Sequence, residues 1–207
     1  MFRSQLRLDR RNPSVRQGLG NCSDMHKNLM SAFEIAYGTE NARQSVSLLY
    51  RLMEQRGQLL VYAISNVVPD WTKVKGVEQL SDVMSVDPLK EKMHEGMLLR
   101  FSLFATPTKK IRREGKLSAR VFLKSREERE SWLERHAAAG GFELVSFEEI
   151  REEQVSGRKA GCEIHYTGVF FDGVLKIIDK EKFWQTYCEG IGAGRAYGLG
   201  MLMIARC

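Results

Sequence analysis

The sequence from residue 190 to residue 204, GIGAGRAYGLGMLMI, decides the fold because it joins a glycine-rich loop to an apolar segment. Alternating glycines let a loop turn its backbone amides toward an anion, and the guanidinium of Arg195 adds a planar donor that fits phosphate. The apolar run MLMI at residues 201–204 is typical of a buried strand. We therefore predict a phosphate-facing loop, with Gly192, Gly194 and Arg195 as candidate ligands, followed by the last strand of a sheet.

The loop also has a simpler interpretation, which is a tight turn before a strand. It lacks the Lys-Ser/Thr ending of a Walker loop, so it does not match that nucleotide-binding motif. A single glycine-rich loop does not separate an anion site from a turn.

The length and charge of the chain limit its class. Its 207 residues are enough for one domain or two small ones, and 43% hydrophobic content is ordinary for a globular protein. Lysine and arginine number 32 against 26 acidic residues, which gives a net charge of +6. This balance favours a polyanionic partner such as nucleic acid.

The cysteines and the apolar segments limit the class further. The four cysteines, at positions 22, 162, 188 and 207, show no metal-ligand spacing, so we expect no zinc site, no disulfide framework and reduced thiols in the cytoplasm. The charged N-terminal segment MFRSQLRLDRRN predicts no signal peptide. No apolar run approaches the ~20 residues that span a bilayer, so we expect no membrane partner.

The first part of the chain, residues 1–88, has the order of a ferredoxin-like unit. Trp71 is expected to pack over its sheet. The predicted elements are a strand over 2–8, a basic loop after Asn12-Pro13, a helix capped by Ser23 or Asp24 and ended by Gly38, strands over 45–51 and 59–65 with a turn at 55–57, a short helix over 77–80 and a linker at Asp87-Pro88.

The second part, residues 95–207, repeats this order. Its predicted elements are a strand over 97–105, a basic stretch over 109–124, a helix over 125–139, a strand over 142–150, a turn over 155–160, a hairpin of 163–171 and 174–178 across Asp172-Gly173, a helix from the Asp179 cap to Glu189, and the last strand. The sequence thus predicts an α+β protein with two tandem ferredoxin-like (βαββαβ) domains, residues 1–88 and 95–207.

His26 is the candidate acid–base residue of the first domain. The apolar spacing of Met25, Leu29 and Phe33 places His26 on the flank of a helix, in its first turn, and Lys27 on the open side. The positive end of a helix disfavours imidazolium and attracts phosphate, and a general base must be neutral at pH 7. An ordinary half-buried histidine is the alternative interpretation.

Several segments together resemble the CasE-type CRISPR RNA-processing endoribonucleases of the type I-E Cascade complex. They are GIGAGRAYGLGMLMI, NCSDMHKNLMSAF at 21–33, PDW at 69–71, RFSLFATPTKK at 100–110 and GKLSARVFLK at 115–124. The resemblance covers essentially the whole chain. It implies two ferredoxin-like domains with a basic groove that binds the hairpin of the CRISPR repeat and cuts the pre-crRNA at the 3′ base.

The resemblance also implies a reaction without metal or cofactor. Attack by a 2′-hydroxyl on the adjacent phosphate leaves a 2′,3′-cyclic phosphate and a 5′-hydroxyl. The enzyme is expected to stay bound to the mature crRNA and to join the other Cascade subunits in antiviral defence.

The resemblance gives His26 the acid–base role, and Lys27 is the neighbouring candidate. Some relatives carry a tyrosine three residues before this histidine and a lysine five after it, where this chain has Ser23 and Ser31. The general acid therefore stays open, and a non-catalytic RNA-binding subunit of the same fold is the alternative function.

Cations outside the helix are the candidate RNA ligands. The basic hairpin loop of the family aligns with residues 156–159, which makes Arg158 and Lys159 candidates, with a solvated turn as the alternative. Along the basic stretch, the expected phosphate ligands are Lys109, Lys110, Arg112, Arg113, Lys116 and Arg120. The glycine loop has a second possible role, which is to shape the groove between the domains without touching RNA.

Overall fold

The chain forms two compact units, each of them a ferredoxin-like α+β domain, in a computed structural model that describes residues 1–34, 46–113 and 116–207. The side chains of residues 112–118 lie outside that description. Unit 1 contains residues 1–92, 155–165 and 195–198, and unit 2 contains residues 93–154, 166–194 and 199–207. The predicted fold class is confirmed. The contiguous domains 1–88 and 95–207 stay a prediction, and they did not include the two later segments that belong to unit 1.

Unit 1 is built on an antiparallel sheet in which β1 is central. Strand β1 pairs with β3 from Phe2 opposite Ser65 to Leu8 opposite Leu59. The strands are β1 (Phe2–Leu8), β2 (Leu49–Gln55), β3 (Gln58–Ser65), β4 (Val77–Gln79) and β5 (Met84–Ser85), and the helices are α1 (Pro13–Gly20), α2 (Cys22–Met30) and α3 (Asp87–Lys92), with a 3-10 turn at Trp71–Lys73.

The core of unit 1 fixes helix α2. Leu6 and Val61 of the sheet and Leu29 of α2 belong to one cluster of fully buried side chains. Burying a side chain of this size contributes roughly 1.5–3 kcal/mol. Trp71 is buried in the same cluster and its Nε1 donates a hydrogen bond to Ser4 Oγ at 2.8 Å, so the predicted packing of this side chain is confirmed.

Two helix starts in unit 1 differ from the prediction. The predicted loop after Asn12 is helix α1, because the Asn12 side chain accepts a hydrogen bond from Ser14 N and Pro13 occupies the first turn. Helix α2 is capped by Asn21, not by Ser23 or Asp24, and it ends at Met30. The predicted end at Gly38 lies outside the described residues.

Three other elements of unit 1 also need correction. Residues 77–79 form strand β4, which pairs with β1, where a short helix was predicted, since three residues are too few to show a period. Asp87 begins helix α3 and is not part of a linker. Strand β2 begins at Leu49, later than predicted, and residue 45 lies outside the described residues. The turn between β2 and β3 is confirmed.

Unit 2 is built on a sheet with the order β11-β6-β10-β9 and on a two-stranded ribbon, β7-β8. Strand β6 pairs antiparallel with β10 and with β11, which confirms the predicted last strand. The elements are β6 (Leu98–Ala105), β7 (Thr108–Arg113), β8 (Lys116–Phe122), α4 (Arg126–Ala139), β9 (Phe142–Lys159), β10 (Cys162–Ile177), α5 (Lys180–Glu189) and β11 (Leu202–Arg206), with a 3-10 turn at Arg195–Tyr197. The cap at Asp179 starts helix α5 as predicted. Ser125, which was predicted as the first residue of a helix, is instead the cap of α4.

The predicted hairpin at Asp172-Gly173 is wrong. Strand β10 is continuous there, with Asp172 opposite Ser102 and Gly173 opposite Phe101 of β6. A Cβ at Gly173 would lie 2.7 Å from Phe147 Cα, so this glycine permits a close approach of the β9 backbone and does not form a turn.

Strands β9 and β10 form the observed hairpin, and its turn lies at Ala160-Gly161, where both residues have positive φ. Strand β9 therefore continues to Lys159, and the predicted turn over 155–160 is wrong except at its last residue.

Candidate functional site

Helix α2 holds His26 at the border between the core and the surface of unit 1. Met25 and Leu29 are 1% and 0% exposed, whereas His26 is half-buried and Lys27 is exposed. The sequence predicted His26 in the first turn of the helix. It is the fifth residue of α2 and therefore begins the second turn. Because the helix dipole acts mainly within the first turn, that argument for a neutral imidazole does not hold.

Tyr197, which sequence reasoning missed, contacts the His26 ring. The two ring centroids are 6.2 Å apart and the rings are inclined by 75°, an edge-on arrangement. Tyr197 lies in the 3-10 turn that packs against α2, and the next residue, Gly198, lies against the ring of the buried Tyr50. The sequence signal that could have indicated this contact was the presence of an aromatic residue within the glycine loop.

The buried groups around this contact are poor nucleophiles. Burial raises the pKa of the Tyr50 hydroxyl far above its usual range. Burial also raises the pKa of the Cys22 thiol, at the first position of α2. Both groups are therefore protonated at neutral pH, and the acid–base role of His26 stays a prediction.

The end of the β9–β10 hairpin belongs to unit 1 and carries the exposed Arg158 and Lys159. Arg158 N donates a hydrogen bond to Asn21 Oδ1 at 3.0 Å, so the hairpin contacts the start of α2. Glu163 Oε1 lies 3.5 Å from Arg158 Nη2, and Glu163 Oε2 lies 3.1 Å from His165 Nε2. The hydrogen bond from His165 is the main reason that the pKa of Glu163 is below its usual range, and Arg158 contributes.

Unit 1 thus contains one set of the predicted site residues. Its cations are exposed to solvent, and its histidine is half-buried. The members are His26, Lys27, Arg158, Lys159 and Arg195. An acid–base group with exposed cations in one unit is a combination suited to chemistry at a phosphate.

Unit 2 contains the other predicted RNA ligands that the structure describes. Lys110 lies opposite Arg120 on the β7–β8 ribbon, and both are exposed. Because like charges on opposite strands are destabilising, this pair favours a polyanion as partner. Lys109 Nζ is 2.7 Å from Glu128 Oε1, so part of its charge is already offset. The side chains of Arg112, Arg113 and Lys116 lie outside the described residues.

Gly192 and Gly194 have a packing reason to be glycine. A Cβ at Gly192 would lie 3.0 Å from the Trp132 ring, and one at Gly194 would lie 2.6 Å from Leu199 Cδ1. Contact of this loop with RNA stays a prediction.

The described residues contain no cluster of three or more His, Cys, Asp or Glu side chains arranged to hold a metal ion. Within the same part of the chain, no helix has the length and apolar content needed to cross a membrane.

Comparison with known proteins identifies the family. A family model described as CRISPR associated protein matches residues 1–206. The chain belongs to this CRISPR-associated family. It is 32% identical, over 99% of its length and 100% of the relative, to the CRISPR-associated endoribonuclease Cse3 of Thermus thermophilus.

Solved structures of the CRISPR-associated family share the fold. Thermus thermophilus Cse3 bound to an RNA representing a pre-cleavage complex matches with a TM-score of 0.79 and 27% identity, over 99% of this chain and 98% of the other. A chain of a CRISPR RNA-guided surveillance complex in a pre-nicking state matches with a TM-score of 0.70 and 23% identity, over 100% of both chains. At 23% identity, the second match shows the fold alone.

Proposed function

We propose that the protein is an endoribonuclease that processes CRISPR RNA. It binds the hairpin of the repeat, cuts the pre-crRNA at the 3′ base of that hairpin, and remains on the mature crRNA as a Cascade subunit in the cytoplasm. The observation that carries the proposal is the half-buried His26 in a unit with exposed Arg158 and Lys159, in a chain similar over its full length to an endoribonuclease.

The proposed chemistry is an internal transfer at phosphorus. His26 accepts the proton of the ribose 2′-hydroxyl, and the oxygen attacks the adjacent phosphorus while the bond from phosphorus to the 5′ oxygen breaks. The leaving oxygen gains a proton, which gives a 5′-hydroxyl and a 2′,3′-cyclic phosphate. The negative charge that develops on the phosphate is stabilised by nearby cations, of which Lys27 is on the same helix as His26.

The position of the relatives' lysine is occupied differently in this chain. Ser31 Oγ lies 2.6 Å from the backbone oxygen of Asn28 and 3.2 Å from that of Lys73, so its one proton is donated to the backbone and the residue brings no charge. Lys27 lies four residues before Ser31, which is the C-cap of α2, so the two residues lie on the same face of this helix. We propose that Lys27 supplies the charge that the relatives' lysine supplies.

A second candidate function is a non-catalytic RNA-binding subunit. The observation that favours it is the presence of Ser23 and Ser31 at the positions of the relatives' tyrosine and lysine. Both candidates require the same RNA-binding surface, so only a cleavage assay separates them.

The test is incubation of labelled repeat RNA with excess protein in EDTA. One cut at the 3′ base of the hairpin, with a cyclic phosphate end, is the expected result. A substrate with a 2′-deoxy nucleotide at the cut site is the control, and it should stay intact. Intact repeat RNA that remains tightly bound would favour the non-catalytic subunit, and cleavage only after addition of a divalent metal would contradict metal independence.

Replacement of Tyr197 tests the contact with His26. Tyr197→Ala is expected to lower the single-turnover rate by roughly 3- to 10-fold, since an edge-on aromatic contact is worth about 0.5–1.5 kcal/mol. Tyr197→Phe keeps the ring and should retain the rate. Equal loss in both variants would show that the hydroxyl, not the ring, is needed, and an unchanged rate in Tyr197→Ala would remove the residue from the site.

A further inference from the structure

The side chain of Asn21 connects two parts of unit 1 that are far apart in sequence. Its Oδ1 accepts hydrogen bonds from Ser23 N at 3.1 Å and from Arg158 N at 3.0 Å. Its Nδ2 donates to Asp24 Oδ2 at 2.9 Å and to Arg158 O at 3.4 Å. One of these bonds caps the helix that carries His26, one joins Asn21 to the side chain of Asp24 in the first turn, and two hold the hairpin that carries Arg158.

The contact uses the free edge of a strand. Strand β9 is the outer strand of its sheet, so one side of its backbone has no neighbouring strand among the residues that the structure describes. The amide of Asn21 meets both the N–H and the C=O of Arg158 on β9, as a neighbouring strand would. The Arg158 backbone is therefore fixed while its side chain remains exposed.

The residue before Arg158 must be small for this contact to form. A Cβ at Gly157 would lie 3.0 Å from Cys22 N and 2.9 Å from Cys22 Sγ, and closer still to Asn21 Oδ1. The glycine thus lets the strand approach the start of α2, and a larger residue would push the hairpin away.

Only a carboxamide of this length fulfils both roles. An aspartate would keep the two acceptor bonds but lose the two donor bonds, and its charge would face the carboxylate of Asp24. A serine can cap a helix, but its shorter side chain does not reach the backbone of Arg158.

We propose that Asn21 is a positioning residue, which docks the arginine hairpin on the helix of His26. RNA held by Arg158 and Lys159 is then placed in a fixed register with the imidazole. The proposal rests on the proposed function, because it assigns these two cations to RNA and His26 to the cleavage step. Such fixed placement matters because a shift of about 1 Å at a reacting group can cost on the order of 100-fold in rate.

Asn21→Ser and Asn21→Asp test the role in catalysis. Both are expected to lower the single-turnover rate of repeat cleavage at saturating protein by about tenfold or more, with a smaller change in the Kd for the RNA. The matched control is Asn12→Ser, because Asn12 caps helix α1 in the same way through Ser14 N and is not bonded to the hairpin. The control should cleave at the wild-type rate, and equal loss in the control would assign the effect to helix capping and overturn the proposal.

Hydrogen exchange tests the docking without any cleavage. The Arg158 amide should exchange faster in Asn21→Ser than in the wild type, whereas amides in the middle of β3 should not change. Unchanged exchange at Arg158 would overturn the docking, and faster exchange with a wild-type cleavage rate would overturn the positioning role. If the wild type does not cleave repeat RNA, the proposed function fails, and the exchange result still decides the docking.

Discussion

Replacement of His26 by alanine is expected to lower the single-turnover rate of repeat cleavage by roughly 10²- to 10⁴-fold, the usual contribution of a positioned acid–base group. Binding of the repeat should be nearly unchanged, because the exposed cations of unit 1 remain. The half-buried ring contributes less to the core than Met25 and Leu29 beside it, so the variant should fold. The measurements are cleavage at saturating protein and a titration for the Kd.

The control for this variant is His94→Ala. His94 is exposed, and its Nδ1 lies 3.0 Å from the adjacent Glu95 O, so its loss should change neither rate nor affinity. If His26→Ala loses binding and cleavage together, the residue is structural. If it cleaves at the wild-type rate, the imidazole is not the proton acceptor and the proposed mechanism is wrong.

Local sequence signals predicted those parts of the fold that depend on neighbouring residues. The cap at Asp179 was correct because a side chain that accepts a hydrogen bond from the backbone three residues later is a local interaction. The Asp172-Gly173 pair also gave a local signal, which is typical of a turn. It was wrong because the glycine is required by the backbone of β9, which sequence spacing does not show.

The candidate site shows the same limit. His26 and Lys27 could be proposed from one helix and from the resemblance to a family. The contact of Tyr197 with His26 and that of Asn21 with Arg158 could not, because each joins segments more than 100 residues apart. Only the fold brings these segments into one unit. In the sequence, the two contacts were indicated only by a tyrosine within the glycine loop and by a glycine before Arg158.

The double variant Arg158→Ala/Lys159→Ala is expected to weaken binding of the repeat hairpin by at least about tenfold for each cation, because a hydrogen bond to a charged group contributes roughly 1.5–3 kcal/mol. The negative slope of log K against the logarithm of the salt concentration should become shallower by about 0.7–0.9 for each phosphate that the variant no longer neutralises. The matched control is Lys180→Ala/Lys182→Ala, which removes the same charge from helix α5. An equal loss in the control would assign the effect to net charge.

Glu163→Gln tests the same hairpin by removing a negative charge, so it should strengthen RNA binding where the double variant weakens it. Glu163 Oε1 lies 3.5 Å from Arg158 Nη2, so we expect this carboxylate to compete with an RNA phosphate for the arginine. Removal of its charge should tighten binding of the repeat, because the arginine no longer exchanges one anion for another. Weaker binding in Glu163→Gln would mean that the carboxylate orients Arg158 for RNA and does not compete with it.

An unchanged salt slope in the double variant would remove Arg158 and Lys159 from the RNA-binding surface, and the hairpin would then be only a structural part of unit 1.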